Sequence, residues 1–468
     1  METNFVGRKA ELEALDRQWR APAGSFAPVY GRRRVGKSEL IVHFLRGKRG
    51  IYYVGKRVPP GLQIREFLRA ASESLGEPLL AEHPADGWGQ ALRLVEGRWK
   101  GPGKFILALD EFQWTADASP ELPSILQEAW DRRWKKGGVM LILCGSYLGF
   151  MEREVLGRKS PLFGRRTAQI LLKPFGFAEA ARFHPGYSRA DQARVAFVCG
   201  GVPLYLRCFL QDRSVEQNIA AALFEETGPL VREPEFLLRE ELREVANYHS
   251  VLLALASGSA TPSEVATATG LDPRALQFYL GTLMEIGYVQ RRHPLTGSPP
   301  SVRAVRYALE DPLLRFWFRF VFPNLGQIAV LGPERAVQQL VRPQFDAFAG
   351  HAFERLCREA LPALYAREGV SASFEIGEYW DKETQIDLVG LRQDHWTDLG
   401  ECKWTPIRSP GALRAELAQR AARFPNKRGA TLALRHFTRM EVKPPSGSAP
   451  QERWHCLEDL YAAGGLGH

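Results

Sequence analysis

What the chain lacks narrows it first. Its six cysteines (Cys144, Cys199, Cys208, Cys357, Cys402, Cys456) are scattered over 468 residues with no CxxC pair. That spacing excludes a zinc-ribbon site and a disulfide framework and fits a reducing cytoplasm. No apolar run is long enough to span a bilayer: the most apolar stretch, LLRFWFRFVF, is short and interrupted by Arg315 and Arg319. The opening METNFVGRKAELEALDRQW is charged and helical in pattern, unlike a secretory leader. Internal repeats and low-complexity tracts are absent as well. The expectation is a cytoplasmic chain with no membrane partner. What is present is ordinary for globular protein, 45% apolar and 25% charged, at a length sufficient for two to four domains. A net charge of +9 admits a nucleic-acid partner without requiring one.

Short β-rich runs punctuate the first third: Ala27–Tyr30, GIYYV from Gly50, FILAL from Phe105 and VMLIL from Val139. Helical patterns separate them, which predicts an α/β fold with a parallel sheet covered on both faces. From about Pro174 to Pro234 the pattern is mostly helical. From Glu240 to Pro323 it is helices with a short hairpin whose tip is expected at His293–Ser301. Beyond Pro333, helix gives way to strands and then helix again. Lys443–Pro450, KPPSGSAP, reads as a surface loop.

The stretch GRRRVGKS, Gly31–Ser38, matches the P-loop pattern GxxxxGK[ST] between the strand residues VY and the helical ELIVHFL. Its glycines let backbone N–H groups curl round phosphates, Lys37 can reach the β and γ phosphates, and the Ser38 hydroxyl can bind Mg2+. Gly31, Arg34, Val35, Gly36, Lys37, Ser38 and Glu39 are therefore the expected nucleotide-lining set. Asp110 and Glu111 end the run FILAL. At a strand end, Asp110 can hold the Mg2+ shell and Glu111 can orient or deprotonate the attacking water. Ser146, after VMLILCG, is either a γ-phosphate sensor or an N-cap for the following helix. Arg165 and Arg166, in SPLFGRRT, either supply charge to the transferring phosphoryl group, from the same chain or from a neighbour in a homo-oligomer, or form a plain surface pair.

Taken in order, FVGRKAELEAL, GRRRVGKS, LALDEFQW, LCGSYLGFM, SPLFGRR and CGGVPLYL resemble the prokaryotic P-loop ATPases of the AAA+/STAND group, the "ATPase domain 2" family, over roughly Phe5 to Leu210. The resemblance implies ATP and Mg2+ as cofactors. It sets Val6, Gly7 and Arg8 near the adenine, and Gly200, Gly201 and Pro203 where a helical lid meets the nucleotide. Without it, GGVP reads as a helix-breaking turn.

Thr261–Arg292 reads helix, turn, helix, then strand, with a helical apolar stripe at Leu276, Leu280, Leu283 and Ile286. This order resembles a winged helix. Arg274, Gln277, Arg291 and Arg292 are then candidate DNA contacts, the alternative being a winged helix used for packing or protein contact.

Near the C-terminus QIDLVGLRQDHWTDLGECKW, Gln385–Trp404, carries Asp387, Glu401 and Lys403. A hairpin centred on Asp394 sets Asp387 opposite Glu401, with Lys403 on the same face because strand side chains alternate. Facing carboxylates repel unless a cation lies between them, so Mg2+ or Mn2+ is the natural occupant, and Lys403 orients the nucleophile or neutralises charge. Glu354, on the helix GHAFERLCREAL, can add a third carboxylate. Helix with Glu, strand with Asp, strand with Glu-x-Lys, then helix resembles the PD-(D/E)xK nuclease fold from about Gly350 to Cys456. Ile386 stands where that family's proline precedes the aspartate.

These readings predict three parts: a P-loop ATPase core with helical lid at 1–235, a winged helix at 236–330 and an α/β PD-(D/E)xK nuclease-like domain at 331–468. The function they imply is ATP-gated DNA binding and metal-dependent cleavage. The rival reading is a nucleotide-dependent switch or transcription regulator whose nuclease-like domain only binds.

Overall fold

The apolar runs of the first third become a five-stranded sheet in the order β2-β3-β4-β1-β5, every pair parallel. The strands are β1 (Ser25–Tyr30), β2 (Gly50–Val54), β3 (Phe105–Asp110), β4 (Val139–Gly145) and β5 (Ile170–Leu171). In the computed structural model, residues 5–99, 103–242, 244–258, 260–299, 304–447 and 449–465 are described. Both faces of this sheet are covered, which is why its central strands read as continuous apolar runs. Phe105, Leu107 and Leu109 of β3 pack into one core, and Ile106 and Ala108 into the other. The second core contains Leu40 and Ile41 of the P-loop helix Lys37–Leu45, so that helix is clamped on one face of the sheet.

The chain divides into two compact units, residues 1–174 and 175–467. The division falls well before the expected boundary at 235. The reason is hydrophobic: Phe175, Val198, Tyr205 and Leu223 from the mostly helical stretch share one core with Leu252, Leu280, Phe316 and Leu361. Gly201 in this stretch has a steric cause, because a Cβ there would lie 1.8 Å from the Phe175 carbonyl oxygen.

In the second unit the expected helix, turn and helix form as Pro262–Thr269 and Pro273–Glu285. Thr261 and Glu264 make a capping box at the start of the first, Gly270 ends it at φ 69°, and the Asp272 carboxylate caps the second. The antiparallel pair β6 (Val289–Arg292) and β7 (Arg306–Leu309) follows. Residues 300 and 301 of the expected hairpin tip lie outside the described residues. The tip's Leu295 packs on Gly377, and its N–H donates to the Glu378 carbonyl at 2.8 Å. Arg292 lies between Glu310 (2.6 Å) and Glu378 (3.0 Å). Its guanidinium is thus committed to two carboxylates rather than presented as a nucleic-acid contact. Arg274, Gln277 and Arg291 are exposed.

A second five-stranded sheet, β12-β11-β10-β9-β8, closes the unit. Its strands are β8 (Phe374–Trp380), β9 (Gln385–Arg392), β10 (Trp396–Lys403), β11 (Thr431–Thr438) and β12 (Glu452–Cys456). The β8–β9 and β9–β10 pairs are antiparallel, and the β10–β11 and β11–β12 pairs are parallel. The helices Arg342–Arg367 and Pro410–Arg423 supply Glu354 and Arg420 to the region described below.

Candidate functional site

The glycine-rich loop leaves the carboxyl end of β1 and opens directly into the Lys37–Leu45 helix. The crevice beyond the carboxyl ends of parallel strands is where open α/β sheets bind ligands. Gly31, at φ 154°, sits so close to Leu172 that a Cβ would lie 2.2 Å from its carbonyl oxygen; Arg34 and Gly36 also take positive φ. Val35 is buried and anchors the loop, while Ser38 at the helix start is exposed and Glu39 half-buried. The Lys37 ammonium folds back on the loop, donating to the Gly31 (3.0 Å) and Arg32 (2.7 Å) carbonyls. Burial pulls its pKa below the ordinary lysine value, with Cys144, Glu111 and Asp110 acting the other way. Phosphate oxygens arriving in the loop would offer that amine better acceptors than two carbonyls.

Asp110 ends β3 and is buried. One carboxylate oxygen accepts the Glu111 N–H at 2.8 Å, the other the Tyr52 hydroxyl at 2.6 Å. Glu111 takes a left-handed conformation, φ 45°, a strained choice for a residue other than glycine. Its side chain is held by two neutral donors, the Ser146 hydroxyl at 2.9 Å and the Gln113 amide. Ser146 therefore bonds Glu111; it does not cap the next helix, whose N-cap position is Tyr147 and makes no side-chain cap bond. Gly7 is at φ 68°, and the buried Arg8 donates to the Val35 carbonyl at 2.9 Å, bracing the loop from behind. Next to Val6, Phe5 stacks on His43 at 4.0 Å.

The two arginines of SPLFGRRT differ. Arg165 makes a fork on Asp131 (3.0 and 2.7 Å) and donates to the Pro161 and Phe163 carbonyls. Arg166 is exposed. Pro203 is the first residue of the short helix Pro203–Arg207 in the second unit, just after Gly200 at φ 62°.

In that second unit, β9 and β10 pair with Leu388 opposite Gly400 and Leu391 opposite Thr397, the register centred on Asp394. One step further this register puts Asp387 opposite Glu401. Asp387 is 7% exposed and Glu401 1%. Burial first, then the charges of Glu354 and Glu401, push the Asp387 carboxyl up to about 8. The Cys402 N–H, donating to that carboxylate at 3.0 Å, and Lys403 work against the rise without cancelling it. Glu401 accepts from Lys403 at 2.6 Å and from Arg420 at 2.5 Å. Glu354 pairs with His351 at 3.3 Å and more loosely with Arg358 at 3.9 Å. Burial raises the Glu354 carboxyl, but His351 and Arg358 more than offset this and leave it below the ordinary range.

The acids and the lysine are therefore neighbours, but they do not assemble into a cation cage. Among the described residues no group of three or more His, Cys, Asp or Glu side chains is disposed to hold a metal ion. Of Glu354, Asp387 and Glu401, the expected joint ligands of Mg2+ or Mn2+, two have other partners in the structure. Glu401 turns to Lys403 and Arg420, and Glu354 turns to His351.

Two residues of these sites had no sequence signal. Tyr52 is one of several apolar letters in GIYYV, and Arg420 is one of two arginines near the end of an amphipathic helix. Only strand pairing in one case and helix placement in the other bring them to the carboxylates.

Residues 5–207 match a family model described as an ATPase domain predominantly from Archaea. Residues 317–415 match a second, DUF234, described as archaeal and bacterial proteins of unknown function. An uncharacterized protein of Methanocaldococcus jannaschii is 28% identical over 414 residues, covering 86% of this chain and 88% of that protein. An uncharacterized ATP-binding protein of the same organism is 51% identical over 45 residues, 10% of this chain and 76% of that one. Among solved structures, a Walker-type ATPase of Pyrococcus abyssi is similar at 20% identity and TM-score 0.49, covering 68% of this chain and 96% of that one. The ORC2 protein of Aeropyrum pernix is similar at 15% identity and TM-score 0.42, covering 70% and 97%. No helix among the described residues is long and apolar enough to cross a membrane. With the P-loop, the strand-end acids and the family match all falling on the same residues, segment 5–207 is a P-loop ATPase domain similar to that predominantly archaeal family, on one chain with a segment similar to DUF234.

Proposed function

We propose that this chain is an ATP-hydrolysing switch that binds DNA, and that its C-terminal acid–lysine face is a binding surface at rest. The carrying observation is the charge arrangement: Glu401 is engaged by Lys403 and Arg420, so the face balances its own charge. In the ATPase site, Lys37 holds the β and γ phosphates and Glu111 orients the attacking water. Ser38 and Asp110 fit a divalent ion, one exposed hydroxyl beside one oriented carboxylate. Magnesium bound there with ATP supplies charge neutralisation of the phosphates. DNA contact falls to the helix Pro273–Glu285 through Arg274 and Gln277 and to Arg291, read as part of a winged helix whose wing is turned to the C-terminal sheet. Arg166, exposed where Arg165 is tied down, is the better candidate for a charge on the transferring phosphoryl group. Cytoplasmic residence and assembly into a homo-oligomer belong to this same reading.

A second reading, a metal-dependent PD-(D/E)xK nuclease, is favoured by one observation: Asp387 stays near pKa 8 beside two other acids, with Lys403 on the same face. A strongly perturbed carboxylate beside a specific charge partner is a functional-site candidate.

The deciding experiment incubates linear, circular and branched DNA with Mg2+ or Mn2+, with and without ATP, comparing the wild-type chain with Asp387→Ala and Lys403→Ala. The switch reading expects nucleotide-dependent DNA binding and no cutting. Cutting that both substitutions abolish would replace it with the nuclease reading.

A further inference from the structure

The ATPase pattern assigns Ser38 and Asp110 to the metal side of the nucleotide site but says nothing about what orients the acid. In this chain a side chain from the neighbouring strand does so. β2 lies beside β3 in parallel register, with Tyr52 opposite Ala108 and Val54 opposite Asp110. Side chains alternate along a strand, so Tyr52, Ala108 and Asp110 share one face. That face is the one covered by the P-loop helix, since Ala108 packs in the same core as Leu40 and Ile41. Ala108 is small, so the Tyr52 ring can extend along the sheet toward the strand end. Its hydroxyl donates to the Asp110 carboxylate at 2.6 Å.

We propose that Tyr52 is a positioning residue for the divalent ion that accompanies the nucleotide, acting by fixing the direction of the Asp110 carboxylate. The inference rests on the ATPase reading of the P-loop. The phenol uses its proton on one Asp110 oxygen while the Glu111 N–H donates to the other, so Asp110 is fixed in one rotamer. Groups that orient ligating side chains in this way influence metal affinity by about 10–100-fold. Tyr53, the next residue, is an internal control. It lies on the opposite face, where its hydroxyl donates to Gln63 at 3.1 Å.

The test is titration of a fluorescent N-methylanthraniloyl-ATP, first in EDTA and then across a Mg2+ series, for the wild-type chain, Tyr52→Phe and Tyr53→Phe. Tyr52→Phe is expected to raise the Mg2+ concentration for half-maximal strengthening of nucleotide binding by about tenfold. Its affinity in EDTA stays at the wild-type level, and Tyr53→Phe follows wild type in both arms. Unchanged Mg2+ dependence in Tyr52→Phe overturns the proposal, and so does an equal loss of affinity with and without Mg2+, which would mean that the phenol shapes the pocket. In an Asp110→Asn background Tyr52→Phe should add almost nothing to the Mg2+ requirement, and a fully additive effect overturns it as well. Wild-type protein that binds no nucleotide under any condition would instead remove the ATPase reading beneath the proposal.

Discussion

Each unit carries acids at the ends of sheet strands, and the two sets are held in opposite ways. In the first, Asp110 and Glu111 accept from a phenol, a backbone N–H, a serine hydroxyl and a glutamine amide, all neutral. In the second, Glu401 accepts from Lys403 and Arg420, and Glu354 pairs with His351 and Arg358. A neutral donor fixes the direction of a carboxylate without cancelling its charge, whereas a cation does both. The first set is thus directed by neutral donors, an arrangement a cation–phosphate ligand can use. The second is largely compensated before any ligand arrives, and Asp387, the acid without a cation of its own, responds by keeping its proton.

The sharpest way to break this contrast is at Glu111. Glu111→Gln keeps the shape and the Ser146 contact but loses the charge. ATP turnover should fall by about 100-fold or more while nucleotide affinity, read by fluorescence titration, holds. A fall in affinity matching the fall in turnover would mean that Glu111 is a binding group, and the contrast with Glu401 would lose its point. A smaller effect is expected at Arg420. If compensation by this arginine is what keeps metal away from Glu401, Arg420→Gln should tighten Mn2+ binding by roughly tenfold, as counted by the free-ion electron paramagnetic resonance signal. Identical binding curves would sink that explanation.

The smallest effect concerns stability. The native Asp387 carboxyl, at about 8, lies above its unfolded value of roughly 3.9. Between these two values the folded chain holds a proton that the unfolded chain releases. The site's contribution is therefore full at low pH and is lost as pH rises toward 8. Asp387→Asn should flatten the decline of Tm from pH 5 to 8 and raise Tm at pH 8 by roughly 2–4 °C. Parallel Tm profiles for the two proteins would show that the carboxyl is not perturbed as described.

Much of this could be read from the chain before any coordinates. Four of the five strands of the first sheet, the P-loop and the capped helices at Thr261 and Asp272 follow from local chemistry, in which each residue acts within a few positions of itself. The β9–β10 register was equally legible, because the turn residues at Arg392–His395 fix it. What escaped was settled at a distance. Arg292 looked free and is engaged by Glu310 and Glu378. Tyr52 looked like strand filler and bonds Asp110. Glu354 and Glu401 looked like ligands and have cationic partners from a helix turn and from another helix. Sequence pattern fixes which face a side chain takes, and tertiary packing chooses its partner.

The hairpin tip resting on β8 also bears on how the chain can be taken apart. Leu295 fills the space over Gly377, and Arg292 answers Glu378, both across the line where a winged helix and a nuclease-like domain would be separated. A fragment starting near Pro333 would bare an apolar seat on an edge strand and leave Glu378 with Arg358 as its remaining cation. Such an excised piece would be prone to self-association, and any activity it lacked would say little about the intact protein. Dissection by point substitution is the safer tool for this half of the molecule.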